Sequence, residues 1–182
     1  MIEFKTEVKE LLPYDRKQYI ALKKWYGVSF QLPGVFEGKD IGLIVFLENY
    51  VDWFKNIILN LDSSSPWIVN HDDKDLKWLP NNDDTLSSLR TLFKQNNIPS
   101  AFTGALVFMK DDLLKYSKDL ISYPYGVYEK KESRYKDLDI SHSQLQFVIK
   151  ISGHLSIDLL STDKELLKKI VNSNSSGNFN II

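Results

Sequence analysis

The chain has 182 residues and no cysteine, so a disulfide scaffold, a thiol nucleophile and a thiolate metal site are all excluded. Its formal net charge of -1 lacks the basic excess that a general nucleic-acid binder carries. The most apolar run, residues 41–47, is far shorter than the roughly 20 residues that cross a bilayer, and residues 1–7 lack the apolar core of a signal peptide. We therefore expect a cytoplasmic protein with one globular domain over residues 1–182 and no membrane partner.

The first half of the chain is predicted to be rich in helix. The strongest signal follows Asp40, because apolar residues recur every three or four positions through residues 43–61. Asp15 is a candidate cap for an earlier helix that extends to Tyr26. A third helix is predicted to end before Pro99, because a residue that precedes proline disfavours helical geometry.

The second half is predicted to mix helices with strands. The apolar residues 105–108 indicate a buried strand, and a helix is expected from residues 111–112 until Pro124. Residues 162–165 form a capping box that opens the last helix. Residues 179–182 are a candidate for a final edge strand.

The clearest β signal is the alternation of apolar and polar residues over positions 145–160. A three-residue loop at positions 152–154 matches the apolar faces of the two strands, whereas a two-residue loop would set apolar residues against polar ones. The pairs that this loop predicts are Ile151 with Leu155, Ile149 with Ile157, Phe147 with Leu159 and, on the other face, Lys150 with Ser156. We therefore predict an α+β fold in which a mostly antiparallel sheet, containing the hairpin 145–160, packs against several amphipathic helices.

An acidic segment between two tryptophans is the leading candidate for a partner-binding surface. Trp67 and Trp78 bracket Asp72, Asp73 and Asp75. Tryptophan is frequent among interface hot spots, and carboxylates steer a basic partner and set its register. The alternative is that the two indoles pin a solvated loop to the core, since runs of charge usually form solvated faces.

No established catalytic motif is present in the sequence. The chain lacks a GxSxG elbow, a GxGxxG fingerprint, a P-loop and an HExxH pair. Three histidines are present, and only His71, with Asp72 and Asp73 beside it, offers a weak alternative for a hard cation. We therefore predict no metal, no cofactor and no catalytic residue.

One enzymatic alternative is a metal-dependent nuclease. Residues 129–131 contain the Glu-x-Lys half of a pattern in which carboxylates hold Mg²⁺ and a lysine positions the attacking water. Asp119 lies upstream of Glu129 and Lys131, but it falls in a predicted helix, whereas the pattern places this carboxylate on a strand. An exposed lysine-rich strand explains the same residues.

A second alternative is single-stranded nucleic-acid binding through tyrosines that alternate with basic residues. Rings beside cations are the usual means of holding unpaired bases, although tyrosines also commonly form half-buried core edges. The net charge offers no electrostatic funnel, so nucleic acid is not the expected partner. The tyrosines are Tyr116, Tyr123, Tyr125, Tyr128 and Tyr135, and the basic residues are Lys115, Lys118, Lys130, Lys131, Arg134 and Lys136.

These observations favour a binding protein over an enzyme. We expect a small protein-binding module of the inhibitor or immunity type, which neutralises a basic partner enzyme through its acidic surface. Such a protein needs only shape, complementary charge and a few anchoring residues.

Overall fold

A computed structural model describes residues 2–15, 21, 24–33, 43–61, 64–71, 77–79, 85–127, 137–153, 156–174 and 179–182. Within these ranges the chain forms eight strands and five helices. The strands are β1 (Glu3–Lys5), β2 (Tyr26–Gln31), β3 (Trp67–His71), β4 (Ala105–Phe108), β5 (Leu138–His142), β6 (Phe147–Ile151), β7 (Ser156–Ser161) and β8 (Asn180–Ile181). The helices are α1 (Leu43–Asn60), α2 (Ser87–Gln95), α3 (Lys110–Lys115), α4 (Ser117–Gly126) and α5 (Lys164–Asn174).

The eight described strands form one antiparallel sheet in the order β1-β4-β3-β5-β6-β7-β2-β8. β6 and β7 are joined as a hairpin, whereas β2 reaches β7 and β8 from the other end of the chain. Every residue of β3 and β5 is buried. These two neighbouring strands therefore lie at the centre of the molecule, and their polar residues are the ones that need an explanation.

The inner face of the sheet carries the main apolar core. Val69, Ile140 and Ile149 stand side by side across β3, β5 and β6, and each is fully buried. They belong to one buried cluster with residues of the helices, so the helices cover this face. Burying each such side chain contributes roughly 1.5–3 kcal/mol to folding. The opposite side of the sheet is called the outer face below.

Helix α1 is the central helix of this core, as its periodicity predicts. Tyr50, Trp53, Phe54 and Ile57 are each 3% exposed or less. The Tyr50 hydroxyl donates a hydrogen bond of 2.8 Å to the backbone oxygen of Phe30, which ties α1 to β2. None of the described helices, α1 included, has the length and apolar character that a membrane crossing requires.

A smaller apolar cluster lies on the outer face. Trp25, Val148 and Leu160 are buried together, and Tyr14 packs against them. The Tyr14 ring stands edge-on to Trp25 at 5.0 Å, and its hydroxyl lies 2.8 Å from the Ser141 hydroxyl on β5. Tyr14 and Trp25, which precede β2, therefore cover part of the outer face.

The first half of the chain contains more strand than its pattern predicts. Helices α1 and α2 are confirmed, but Tyr26, which the pattern assigns to the end of a helix, opens strand β2. The preceding positions 16–20 and 22–23 lie outside the described residues. Both β2 and β3 are short; β2 pairs with β7 and β3 pairs with β5, in each case across more than 60 residues. Tertiary pairing therefore decides their conformation rather than local periodicity.

The hairpin of β6 and β7 is confirmed, but its register differs from the prediction by two residues. Ile151 pairs with Ile157 and Ile149 pairs with Leu159, so the connection is longer than three residues. A shift by two keeps every side chain on its predicted face. The observed register also sets Lys150 opposite Asp158, a pair of opposite charge, where the predicted one sets Lys150 opposite Ser156.

The strand at 105–108, the last helix and the final edge strand are confirmed as β4, α5 and β8. Helix α5 is capped by Asp163 rather than by Thr162. One Asp163 carboxylate oxygen accepts the backbone N–H groups of Glu165 at 2.9 Å and Leu166 at 3.0 Å. The helix predicted after residue 110 is divided near Tyr116 into α3 and α4, and α4 continues past Pro124 to Gly126.

Candidate functional site

The two tryptophans of the predicted docking surface are buried. Trp67 and Trp78 are each 0% exposed. The Trp67 ring lies on the inner face, edge-on to His142 at 5.0 Å, and the Trp78 indole N–H donates to the backbone oxygen of Gly104 over 2.7 Å. Both rings therefore anchor the chain on either side of the acidic segment. Asp72, Asp73 and Asp75 lie outside the described residues.

The residues that flank the acidic segment are held together by an aromatic cluster. His71, Trp78 and Tyr123, called the aromatic clamp here, have ring centroids 4.4 Å apart for His71 and Trp78, 5.0 Å for His71 and Tyr123, and 5.1 Å for Trp78 and Tyr123. All three side chains are buried. The clamp thus brings the positions before and after residues 72–77 into contact and fixes both to helix α4.

Hydrogen bonds order the clamp. The Tyr123 hydroxyl donates to the backbone oxygen of Trp78 over 2.6 Å and lies 3.1 Å from Nε2 of His71. Because the hydroxyl proton is committed to Trp78, its oxygen accepts from His71, which places the imidazole proton on Nε2. Burial raises the pKa of Tyr123, so the phenol remains a donor across the physiological range.

A row of polar residues crosses the outer face of the sheet. Asn70 of β3 stands opposite Asp139 of β5, which stands opposite Lys150 of β6. Lys150 is opposite Asp158 of β7, which is opposite Ser29 of β2. We call these five residues the outer-face row. Asn70 and Asp139 are 3% and 1% exposed, whereas the other three are half-buried, so the row becomes more exposed toward β2.

The outer-face row carries more negative than positive charge. Asp137 lies two residues before Asp139 on the same strand face, and its carboxylate is 3.4 Å from the Lys150 ammonium. Its other oxygen accepts the backbone N–H of Gly153 at 3.2 Å. Asp139 and Asp158 stand opposite Lys150 in the strand register, and Asp137 forms an ion pair with it. The row and Asp137 together therefore carry three carboxylates and one ammonium, a formal excess of two negative charges.

The sequence pattern identified this row only in part. The alternation over positions 145–160 places Lys150 and Asp158 on one face of the hairpin, but it gives no sign that Asn70 and Asp139 continue the row. Those two residues are 69 positions apart in the sequence and are brought opposite each other by the pairing of β3 with β5. A polar residue inside an otherwise apolar strand, such as Asp139 between Leu138 and Ile140, is the local signal that was available.

The residues of the nuclease alternative are placed as follows. Asp119 is 8% exposed, and its Oδ2 accepts the backbone N–H of Leu89 at 2.8 Å, so its carboxylate caps helix α2. Glu129 and Lys131 lie outside the described residues. Within the part of the chain that the structure describes, no three histidine or acidic side chains converge as a metal site.

The tyrosines of the nucleic-acid alternative are mostly turned inward where they are described. Tyr116 is 7% exposed and Tyr123 is 0% exposed. Tyr125 is half-buried, and its hydroxyl donates to the backbone oxygen of Ser152 over 3.3 Å. Tyr128 and Tyr135 lie outside the described residues. The described rings therefore act as core edges, as tyrosines commonly do.

Comparisons with protein-family models, with curated proteins and with solved structures found no match to this chain.

Proposed function

We propose that this protein is a protein-binding module that neutralises a partner with a basic surface, as inhibitors and immunity-type proteins do. The observation that supports this proposal is the charge of the outer-face row together with Asp137, where three carboxylates are matched by the one ammonium of Lys150. Buried and half-buried carboxylates are screened less than fully solvated ones, so their field reaches further toward an approaching cation.

The acidic segment adds to the same surface in this proposal. Asn70, at one end of the outer-face row, precedes Asp72 by two positions in the sequence. The aromatic clamp holds His71 and Trp78 in contact at 4.4 Å, so both ends of the segment are fixed before any partner arrives. Fixing the two ends lowers the conformational entropy that the residues between them can lose on binding. In this proposal Asp72, Asp73 and Asp75 steer the partner.

Occlusion is the mode of action that these features favour. Complementary charge accelerates encounter and excludes acidic partners, whereas shape and a few desolvated contacts hold the complex. No reactive group is needed for such a role. We place the encounter in the cytoplasm, with which the absence of cysteine agrees.

The experiment compares two variants that each remove three negative charges. The first changes Asp72, Asp73 and Asp75 to serine. The matched control changes three exposed acidic residues on helices, namely Asp52→Asn, Asp111→Asn and Glu165→Gln. Wild type and both variants are immobilised and exposed to extract of the source organism, and the retained proteins are identified and quantified.

The proposal predicts a retained protein with a basic surface, captured by wild type and by the control but at least about tenfold less by the first variant. Addition of wild-type protein should also suppress the activity of that partner. Equal capture by both variants, or a retained protein whose surface is acidic, would remove the basis of the proposal.

A further inference from the structure

The turn between β5 and β6 is held by the imidazole of His142. His142 is the last residue of β5 and is 2% exposed. Its Nδ1 accepts the backbone N–H groups of Gln144 at 3.1 Å and Leu145 at 3.0 Å. Both donors are amides, so Nδ1 must be unprotonated, and the neutral ring carries its proton on Nε2.

This turn connects separate parts of the fold. The backbone N–H of Ser143 donates to the oxygen of Pro66, just before β3, over 3.1 Å. The backbone oxygen of Gln146 accepts from the N–H of Thr162, just after β7, over 3.3 Å. The amide side chain of Gln146 also reaches the backbone oxygen of Pro13 at 3.4 Å. Residues 143–146 therefore link the start of β3, the end of β7 and Pro13, which precedes Tyr14 on the outer face.

The surroundings of the ring disfavour its charged form. Nε2 is buried and has no hydrogen-bond partner among the described residues. Trp67 of β3 contacts the ring edge-on, and Phe147 of β6 lies 6.3 Å from Trp67. Neither side chain carries charge. Beyond the end of β7, the carboxylate of Asp163 is committed to the first turn of α5. Burial accordingly lowers the pKa of His142.

We propose that the β5–β6 turn is a pH-sensitive latch that opens when His142 takes up a proton. The proton binds at Nδ1 and converts the one acceptor of the turn into a donor. The N–H groups of Gln144 and Leu145 then face another N–H, and both hydrogen bonds are lost. The sheet itself remains paired, because its ladder bonds do not involve the imidazole. The opening is local and reversible, and it loosens the links to Pro66 and Thr162.

The latch is independent of the proposed partner-binding surface. His142 lies at the last position of β5, whereas Leu138 and the adjacent Asp137 lie at the other end. Hydrogen exchange tests it in the isolated protein. When a histidine has a lowered pKa in the closed form, the equilibrium constant for opening increases as the pH falls. The increase is up to about tenfold for each pH unit below roughly 6.5. Protection of the Gln144 and Leu145 amides should therefore fall between pH 7 and pH 5, while that of the Ile140 and Ile149 amides should not.

Two variants make the result decisive. His142→Asn keeps an oxygen acceptor near the position of Nδ1 but does not titrate, so the protection of both turn amides should become independent of pH. His142→Phe keeps the ring volume and removes the acceptor, so protection should be low at both pH values. Turn amides in wild type that stay equally protected at pH 5 and pH 7 would overturn the latch, as would an unchanged pH response in His142→Asn. The wild-type and asparagine measurements suffice even if the phenylalanine variant does not fold.

Discussion

The hydroxyl of Tyr123 donates a 2.6 Å hydrogen bond to the backbone oxygen of Trp78 and accepts one from His71, although His71 is 52 residues away in the sequence. One phenol on helix α4 thereby satisfies polar groups on both sides of the acidic segment. The aromatic clamp also holds the rings of His71 and Trp78 with their centroids 4.4 Å apart and their planes tilted by 48°. The positions that flank residues 72–77 are consequently part of the core and not of a loose surface loop.

Removal of the Tyr123 hydroxyl should lower the free energy of unfolding more than removal of the Tyr116 hydroxyl. Tyr123→Phe keeps the buried ring but leaves the Trp78 oxygen and the His71 Nε2–H without their partner, so we expect a loss of about 1–3 kcal/mol in the free energy of unfolding. Tyr116→Phe is the control, because Tyr116 is also buried but has no comparable pair of bonds in the described structure. Urea denaturation measures both. A cost for Tyr123→Phe no larger than that for Tyr116→Phe would show that the hydroxyl contributes little.

Helix α2 depends on a carboxylate from another helix. Its N-cap position is Leu86, which adopts a left-handed conformation with φ of 55° and has no side chain able to cap. Asp119 on α4 supplies the missing acceptor to the N–H of Leu89. Asp119→Ala should therefore lower the free energy of unfolding by about 1–2 kcal/mol. Asp119→Asn, which retains an acceptor, should recover most of the loss in thermal or urea unfolding, and similar costs for the two variants would argue against capping.

Two glycines, Gly27 in β2 and Gly104 just before β4, should differ sharply in their tolerance of a methyl group. A Cβ at Gly104 would lie 2.0 Å from the backbone oxygen of Lys5, so strands β1 and β4 would have to separate. A Cβ at Gly27 meets the flexible end of the Leu160 side chain at 3.0 Å. We expect Gly104→Ala to destabilise the protein by about 3 kcal/mol or more and Gly27→Ala by less than about 1.5 kcal/mol. Comparable melting temperatures for the two variants would contradict the close approach of the Lys5 backbone in β1 to Gly104.

The free energy of unfolding should depend on pH through His142. Its pKa is lowered in the folded protein, so the unfolded chain binds more protons at this position. The contribution is therefore fully present above the unfolded value of about 6.5 and is lost as the pH falls through the lower folded value. Wild type minus His142→Asn, measured by urea denaturation from pH 7.5 to pH 5, isolates this contribution. A difference that stays constant over this range would refute it.

Local patterns predicted some elements of this fold well. The stripe of α1 and the alternation of the β6–β7 hairpin each arise from residues close in sequence, and both elements are observed. The hairpin register was missed by two residues because matching apolar faces cannot distinguish registers of equal parity. The two registers differ in charge pairing, because only the observed one sets Lys150 opposite Asp158.

The candidate site was harder to predict, because its parts come from distant segments. Trp67 and Trp78 were correctly noted as the residues that flank the acidic segment, but nothing local reveals that both are fully buried. Asn70 and Asp139 meet only through the pairing of β3 with β5. Asp119 was a candidate metal ligand only in the nuclease alternative, and its contact with Leu89 of α2 is a tertiary relationship that no short motif encodes.

The dependence of partner affinity on salt tests the central proposal most directly. Once the retained partner is identified, its association rate with wild type should fall at least about tenfold between 50 and 300 mM NaCl, because screening shortens the reach of the acidic surface. The Asp72, Asp73 and Asp75 serine variant should start lower and show a much flatter dependence. An association rate that is insensitive to salt, and equal in wild type and this variant, would contradict capture of a basic partner by an acidic surface.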